Sequence, residues 1–101
     1  MKRNHSMEIL WSPLAVERLE EIYDYIARDN VSAAQNLIEN IFVKVELLKN
    51  NSESGRKVPE SNREEIRELF EGEYRIIYKL GTKKTIFLRL ESSSNYYQIK
   101  I

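Results

Sequence analysis

Residues 72–79 read GEYRIIYK, and Arg75 interrupts an otherwise apolar, aromatic-flanked run. A guanidinium presents a planar fork of donors that suits a phosphate or a carboxylate. Further cations stand near it in sequence: Lys79 four residues on, Arg89 in the next apolar run beside Phe87, and Arg56 and Lys57 in the loop upstream. Tyr96 and Tyr97 add two phenols near the C-terminus. The chain has no cysteine, and its one histidine, His5, lies in the N-terminal tail. Disulfides, thiolate catalysis and cysteine-ligated metal are therefore excluded, and a lone tail histidine argues against a histidine-based metal or triad site. No metal or other cofactor is implied. What remains is charge stabilisation and proton transfer by Arg, Lys, Glu, Asp, Tyr and Ser.

These groups must be positioned by one domain. A chain of 101 residues is too short for two independent cores. Its 42% hydrophobic and 32% charged content suits a soluble globular protein. No apolar run reaches the roughly 20 residues of a membrane helix, and MKRNHS is not followed by a signal-peptide core. A cytoplasmic location is expected. The domain is expected to span 7–101, with 1–6 a disordered N-terminal extension and Met7 an alternative start. The formal net charge is zero, which argues against a general nucleic-acid binder. Residues 1–54 nevertheless carry six Lys/Arg against nine Asp/Glu, and 55–101 carry ten against seven. The positive field belongs to the C-terminal half.

The order of elements is legible from local signals. MEILWS at 7–12 suits a first strand, with Trp11 placed in the core. Ser12-Pro13 then supplies an N-cap oxygen and a first-turn proline that needs no amide partner. Leu19, Ile22, Tyr23 and Ile26 mark the apolar side of a helix over 13–28. After RDN, Ser32 and Gln35 stand in the spacing of a capping box, which predicts the start of a second helix. Its apolar stripe comprises Ala34, Leu37, Ile38, Ile41, Val45 and Leu48, while Phe42, Val43 and Leu47 predict a second covered surface. The short connection makes the two helices an antiparallel hairpin. NNSESGRKVPESNR reads as a loop over 50–63. Strands are predicted at 66–71, 74–80 and 85–91, forming an antiparallel meander and an α+β fold of order βααβββ.

Strand alternation puts Tyr74, Ile76, Tyr78 and Leu80 on one face, and Arg75, Ile77 and Lys79 on the other. The helices are expected to cover the first face. The second is expected to stay open, lined by Arg75, Lys79, Phe87 and Arg89, and able to hold a phosphate backbone or an acidic partner. If Leu80 pairs with Ile86 and Ile76 with Leu90, Arg75 lies across from Glu91, where an ion pair would serve structure alone. Both readings of Arg75 are open at this point.

The sequence resembles the RelE/ParE superfamily of toxins from toxin–antitoxin modules over Met7 to Arg89. The resemblance rests on WSPLAVERLEEIYDYIARDN, AAQNLIENI, SGRKVPE, IREL and YRIIYKL in that order. The long hairpin and the GRKVPE loop are similar to the ParE branch, the plasmid stabilization toxins. The resemblance implies a cognate antitoxin that wraps over the toxin. It also implies one of two targets: DNA gyrase for ParE-like members, or mRNA on the ribosome for RelE-like ones. Arg75 matches an arginine that stabilises phosphate charge in the ribonucleases, a metal-independent reaction. The segment ESSSNYYQIKI departs from that pattern, because Glu91 stands where the ribonucleases carry positive charge.

Three functions follow from the resemblance. The first is a ParE-like toxin that inhibits gyrase by binding. The second is a ribosome-dependent endoribonuclease with Arg75, Arg89, Tyr96 and Tyr97 as catalytic residues. The third is a degenerate toxin retaining only antitoxin binding. Whether the protein is an enzyme is open among them. Arg56, Lys57, Lys79 and Phe87 are the expected partner-binding residues, and exposed apolar surface would permit a homodimer when no antitoxin is present.

Overall fold

A computed structural model describes residues 8–81 and 85–92, the latter as backbone except for Arg89. Strand β1 (Glu8–Trp11) leads into helix α1 (Pro13–Ala27) and helix α2 (Val31–Leu47). The two-residue β2 (Arg56–Lys57), β3 (Ile66–Glu71), β4 (Tyr74–Leu80) and β5 (Thr85–Ser92) complete a sheet of order β1-β5-β4-β3-β2. The predicted α+β order βααβββ is present. Two differences stand out: a short strand within the predicted loop, and the parallel pairing of β1 with β5.

Local chemistry explains the helix starts. Ser12 Oγ accepts from the Ala15 amide at 3.0 Å, with Pro13 in the first helical position. The predicted cap of α2 is corrected by two residues. Asn30, extended at φ −158°, accepts from the Ala33 amide at 3.0 Å through its side chain, and its carbonyl takes the Ala34 amide. Asparagine caps as well as serine, so the helix begins earlier and Ser32 is left exposed in the first turn.

The main core lies between α2 and one sheet face. Ile41, Val45 and Leu48 pack with Ile76 and Tyr78, and Ile9, Trp11, Leu19, Leu37, Leu69 and Leu80 close in around them. Burying each large aliphatic side chain stabilises by about 1.5–3 kcal/mol. Trp11 is half-buried, and its ring meets that of Phe42 at a tilt of 54°, with centroids 5.2 Å apart. Helix α2 faces two surfaces as expected, α1 and the sheet, and Phe42 meets Trp11, but two of the residues that suggested the second surface take no part in it. Val43 and Leu47 are 59% exposed, because the helix axis leaves that side to solvent.

Two glycines meet specific demands. Gly72, at φ +59°, turns β3 into β4 in a conformation that L side chains rarely adopt. Gly55 passes so close to the sheet that a Cβ there would sit 2.6 Å from the Glu68 carbonyl and 2.7 Å from the Tyr78 hydroxyl. That hydroxyl accepts from the Gly55 amide and donates to the Ser52 carbonyl, and burial raises its pKa. Arg67 Nη1 donates to the Gly55 carbonyl at 3.0 Å, holding the same segment from the side.

Candidate functional site: a buried ion cluster on the second sheet face

Register determines which side chains meet behind the helix-covered face. The turn at Gly72 sets Glu71 opposite Tyr74, so Phe70 faces Arg75 and Glu68 faces Ile77. Arg56 of β2 lies opposite Glu68. Arg75 and Glu68 are thus diagonal neighbours on one face, within reach of long side chains. Glu60 approaches from the connection between β2 and β3.

The result is a charged cluster. Arg75 is fully buried: its Nη1 donates to Glu68 Oε1 at 2.5 Å, and its Nη2 donates to Glu60 Oε2 at 2.7 Å. Glu68, also buried, accepts from Arg56 Nε at 2.6 Å through its other oxygen. The Arg56 guanidinium lies 5.4 Å over the Phe70 ring. Beside the cluster, Val58, Ile66 and Ile77 form a small apolar core. Burial disfavours the charge on Arg75, yet hydrogen bonds to Glu60 and Glu68 raise its pKa above the ordinary value. For Glu60, partial burial acts upward, but the Arg75 hydrogen bond, its own amide and the nearby cations hold it below 4.5.

The open basic face is therefore corrected. Residues 58–65 cross it, and Arg75 is enclosed rather than presented to solvent. The physical reason is that a cation drawn into the sheet must be paired. The sequence reading set Arg75 across from Glu91, and the backbone register is that one, with Leu80 opposite Ile86 and Ile76 opposite Leu90. The Glu91 side chain lies outside the described residues.

The other expected site residues separate into rows. Arg89 is partly exposed and lies opposite Ile77, in line with Glu68 and Arg56. Lys79 is exposed, with Phe87 opposite it on one strand and Ile66 on the other. Arg56 and Lys57 form β2, where Lys57 pairs with Glu64 at 3.2 Å. Arg75 and Arg56 are brought together through Glu68, whereas Lys79 stands four residues further along β4 and outside the cluster. Tyr96 and Tyr97 lie outside the described residues, as does residue segment 1–6. Among the described residues, no group of His, Cys, Asp and Glu is placed to hold a metal ion.

Sequence reasoning missed Glu60 and Glu68. Glu68 had a signal: the two-residue turn Gly72-Glu73 fixes the β3–β4 register and hence the diagonal. Glu60 had none, because its loop carries no periodicity.

A helical hairpin on one face of a sheet, with the opposite face crossed by a strap over paired charges, defines a small α+β domain. The chain belongs to the family described as ParE toxin of type II toxin-antitoxin system, parDE, whose family model matches residues 9–97. It is accordingly a toxin of the type II toxin–antitoxin class. Among solved structures it is similar to "Chromosomal ParDE TA system from P. aeruginosa". That match has a TM-score of 0.68 and 23% identity, covering 87% of this chain and 97% of the other. The likeness shows the fold. A comparison with curated proteins finds no match. Among the described residues, no helix is long and apolar enough to cross a membrane.

Proposed function

We propose that this toxin acts in the cytoplasm by binding DNA gyrase and is neutralised by a cognate antitoxin. The observation that carries the choice of mechanism is the enclosure of Arg75. A residue that stabilises a dianionic transition state must face the reacting phosphate with free donors. Here both terminal nitrogens of that guanidinium are engaged by carboxylates. Binding needs surface complementarity and no catalytic set, so the enclosed arginine costs the gyrase reading nothing.

The hairpin supplies the surface for the antitoxin. Phe42, Val43 and Leu47 are 43%, 59% and 59% exposed on α2. An apolar strip of this kind fits an amphipathic segment of a partner. The likeness to the chromosomal ParDE system of P. aeruginosa supports a partner of this type. Val43→Asp with Leu47→Asp is expected to abolish antitoxin binding in a pull-down while leaving the fold intact.

Labelled amino-acid incorporation after induction without antitoxin tests the target. Sustained incorporation with arrested division is the expected result, with loss of supercoiling by purified gyrase. A fall in incorporation within minutes would overturn the gyrase reading in favour of mRNA cleavage. Unimpaired growth would overturn it in favour of a toxin that keeps only antitoxin binding.

A further inference from the structure

The two carboxylates on Arg75 differ in kind. Glu68 is a strand residue with a fully buried side chain. Glu60 stands on the strap, and its side chain is 25% exposed. At one end Val58 packs on Ile66 and Ile77, and at the other the Leu80 amide donates to the Glu65 carbonyl at 2.8 Å. Between them, Pro59, Asn62, Arg63 and Glu64 are exposed, and Glu60 reaches inward to Arg75. Two further ion pairs involve the strap: Arg63 with Glu65, which is local, and Glu64 with Lys57 of β2, whose side chains are both mostly exposed.

Removing Glu60 from Nη2 leaves Nη1 on Glu68, so the buried guanidinium keeps a countercharge. Exchanging one carboxylate for another conserves charge and hydrogen-bond geometry, which avoids the large cost of stranding a buried ion. Arg56, whose side chain is 60% exposed, also acts electrostatically on Glu60 and favours an anion at that position. Arg75 is fully buried, and a single carboxylate side chain on an extended segment can take the place that Glu60 holds on it without the bulk of a phosphodiester backbone.

We propose that Glu60 is an internal stand-in for a partner's carboxylate: an Asp or Glu side chain of an acidic protein segment replaces it on Nη2 of Arg75, and residues 59–65 lift away. Arg75 is then a specificity residue for that partner, kept closed by the chain itself. This site is separate from the hairpin surface and does not depend on gyrase being the target.

Chemical rescue tests it. Glu60→Ala is expected to lower Tm, and sodium acetate is expected to restore part of the loss relative to sodium chloride at equal ionic strength. The wild type should respond equally to the two salts. Amide exchange over 59–65 should quicken in Glu60→Ala and slow again with acetate. The variant should also bind a hexaglutamate peptide roughly tenfold more tightly than the wild type does, the size of one charge-assisted contact. Absence of an acetate-specific gain, or unchanged exchange in the strap, overturns the proposal. So does tighter binding of a single-stranded oligonucleotide than of hexaglutamate. If Glu60→Ala does not fold, Glu60→Asp keeps the charge but shortens the reach, and the same acetate and exchange measurements decide.

Discussion

The two faces of β4 solve one problem in opposite ways. On one side, Ile76 and Tyr78 are buried by a helix that brings its own apolar stripe. On the other, Arg75 and Ile77 are buried by a strap whose inward contributions are Val58 and Glu60. The first face gains from every methylene removed from water. The second must match charge with charge merely to offset desolvation. The helix-covered face therefore tolerates apolar exchange, while the strap-covered face depends on complete sets of partners.

The sharpest break is Glu68→Ala. It leaves Arg75 and Arg56 without their shared carboxylate, and removing one partner of a buried pair costs about 3–5 kcal/mol. Urea denaturation should show that loss, and replacing Arg75 and Glu68 together with methionine should recover most of it. On the opposite face, Ile41→Ala should cost about 2–5 kcal/mol through lost burial and a cavity. No second substitution at a charged residue should rescue it, which separates the two modes.

A smaller effect comes from Glu60→Gln, which sharpens the comparison through pH. The folded-state pKa of Glu60 lies below 4.5, chiefly because Arg75 and nearby amides outweigh its partial burial. Its contribution is complete above about 4.5 and is lost as pH falls through the lower folded value. Acid unfolding of the Gln variant should start from a lower stability and fall less steeply in that window. The smallest change in stability is expected for Val43→Ser with Leu47→Ser. Both side chains are exposed, so denaturation should shift by less than about 0.5 kcal/mol.

Much of the fold was legible because its signals are local. Ser12-Pro13 caps α1 as read, the strands at 66–71 and 74–80 have the predicted bounds, and β5 runs one residue beyond its predicted end. The cap of α2 was misplaced because asparagine and serine compete for the role within three residues. The site was half legible. Period-two alternation separated Arg75 from Ile76, but alternation says nothing of what lies over a face. That was decided by 58–65, where Val58 and Glu60 look like ordinary loop residues until the chain folds back on itself. The exposure of Val43 and Leu47 escaped for a related reason: a helix buried on one side still carries apolar residues on the other, and periodicity alone does not say which are covered.

The pairing of β1 with β5 joins residues 8–11 to 85–88 in parallel. The first strand made during synthesis therefore has no partner until nearly the last one leaves the ribosome. The α-helical hairpin can form early from contacts close in sequence, whereas closure of the sheet requires the far end of the chain. A nascent chain stalled before residue 85 holds its helices and two of its longer strands but lacks β5, which stands between β1 and β4. Closure of the sheet thus waits for synthesis of residues 85–92, and chains truncated before them should be unable to form its β1–β5–β4 portion.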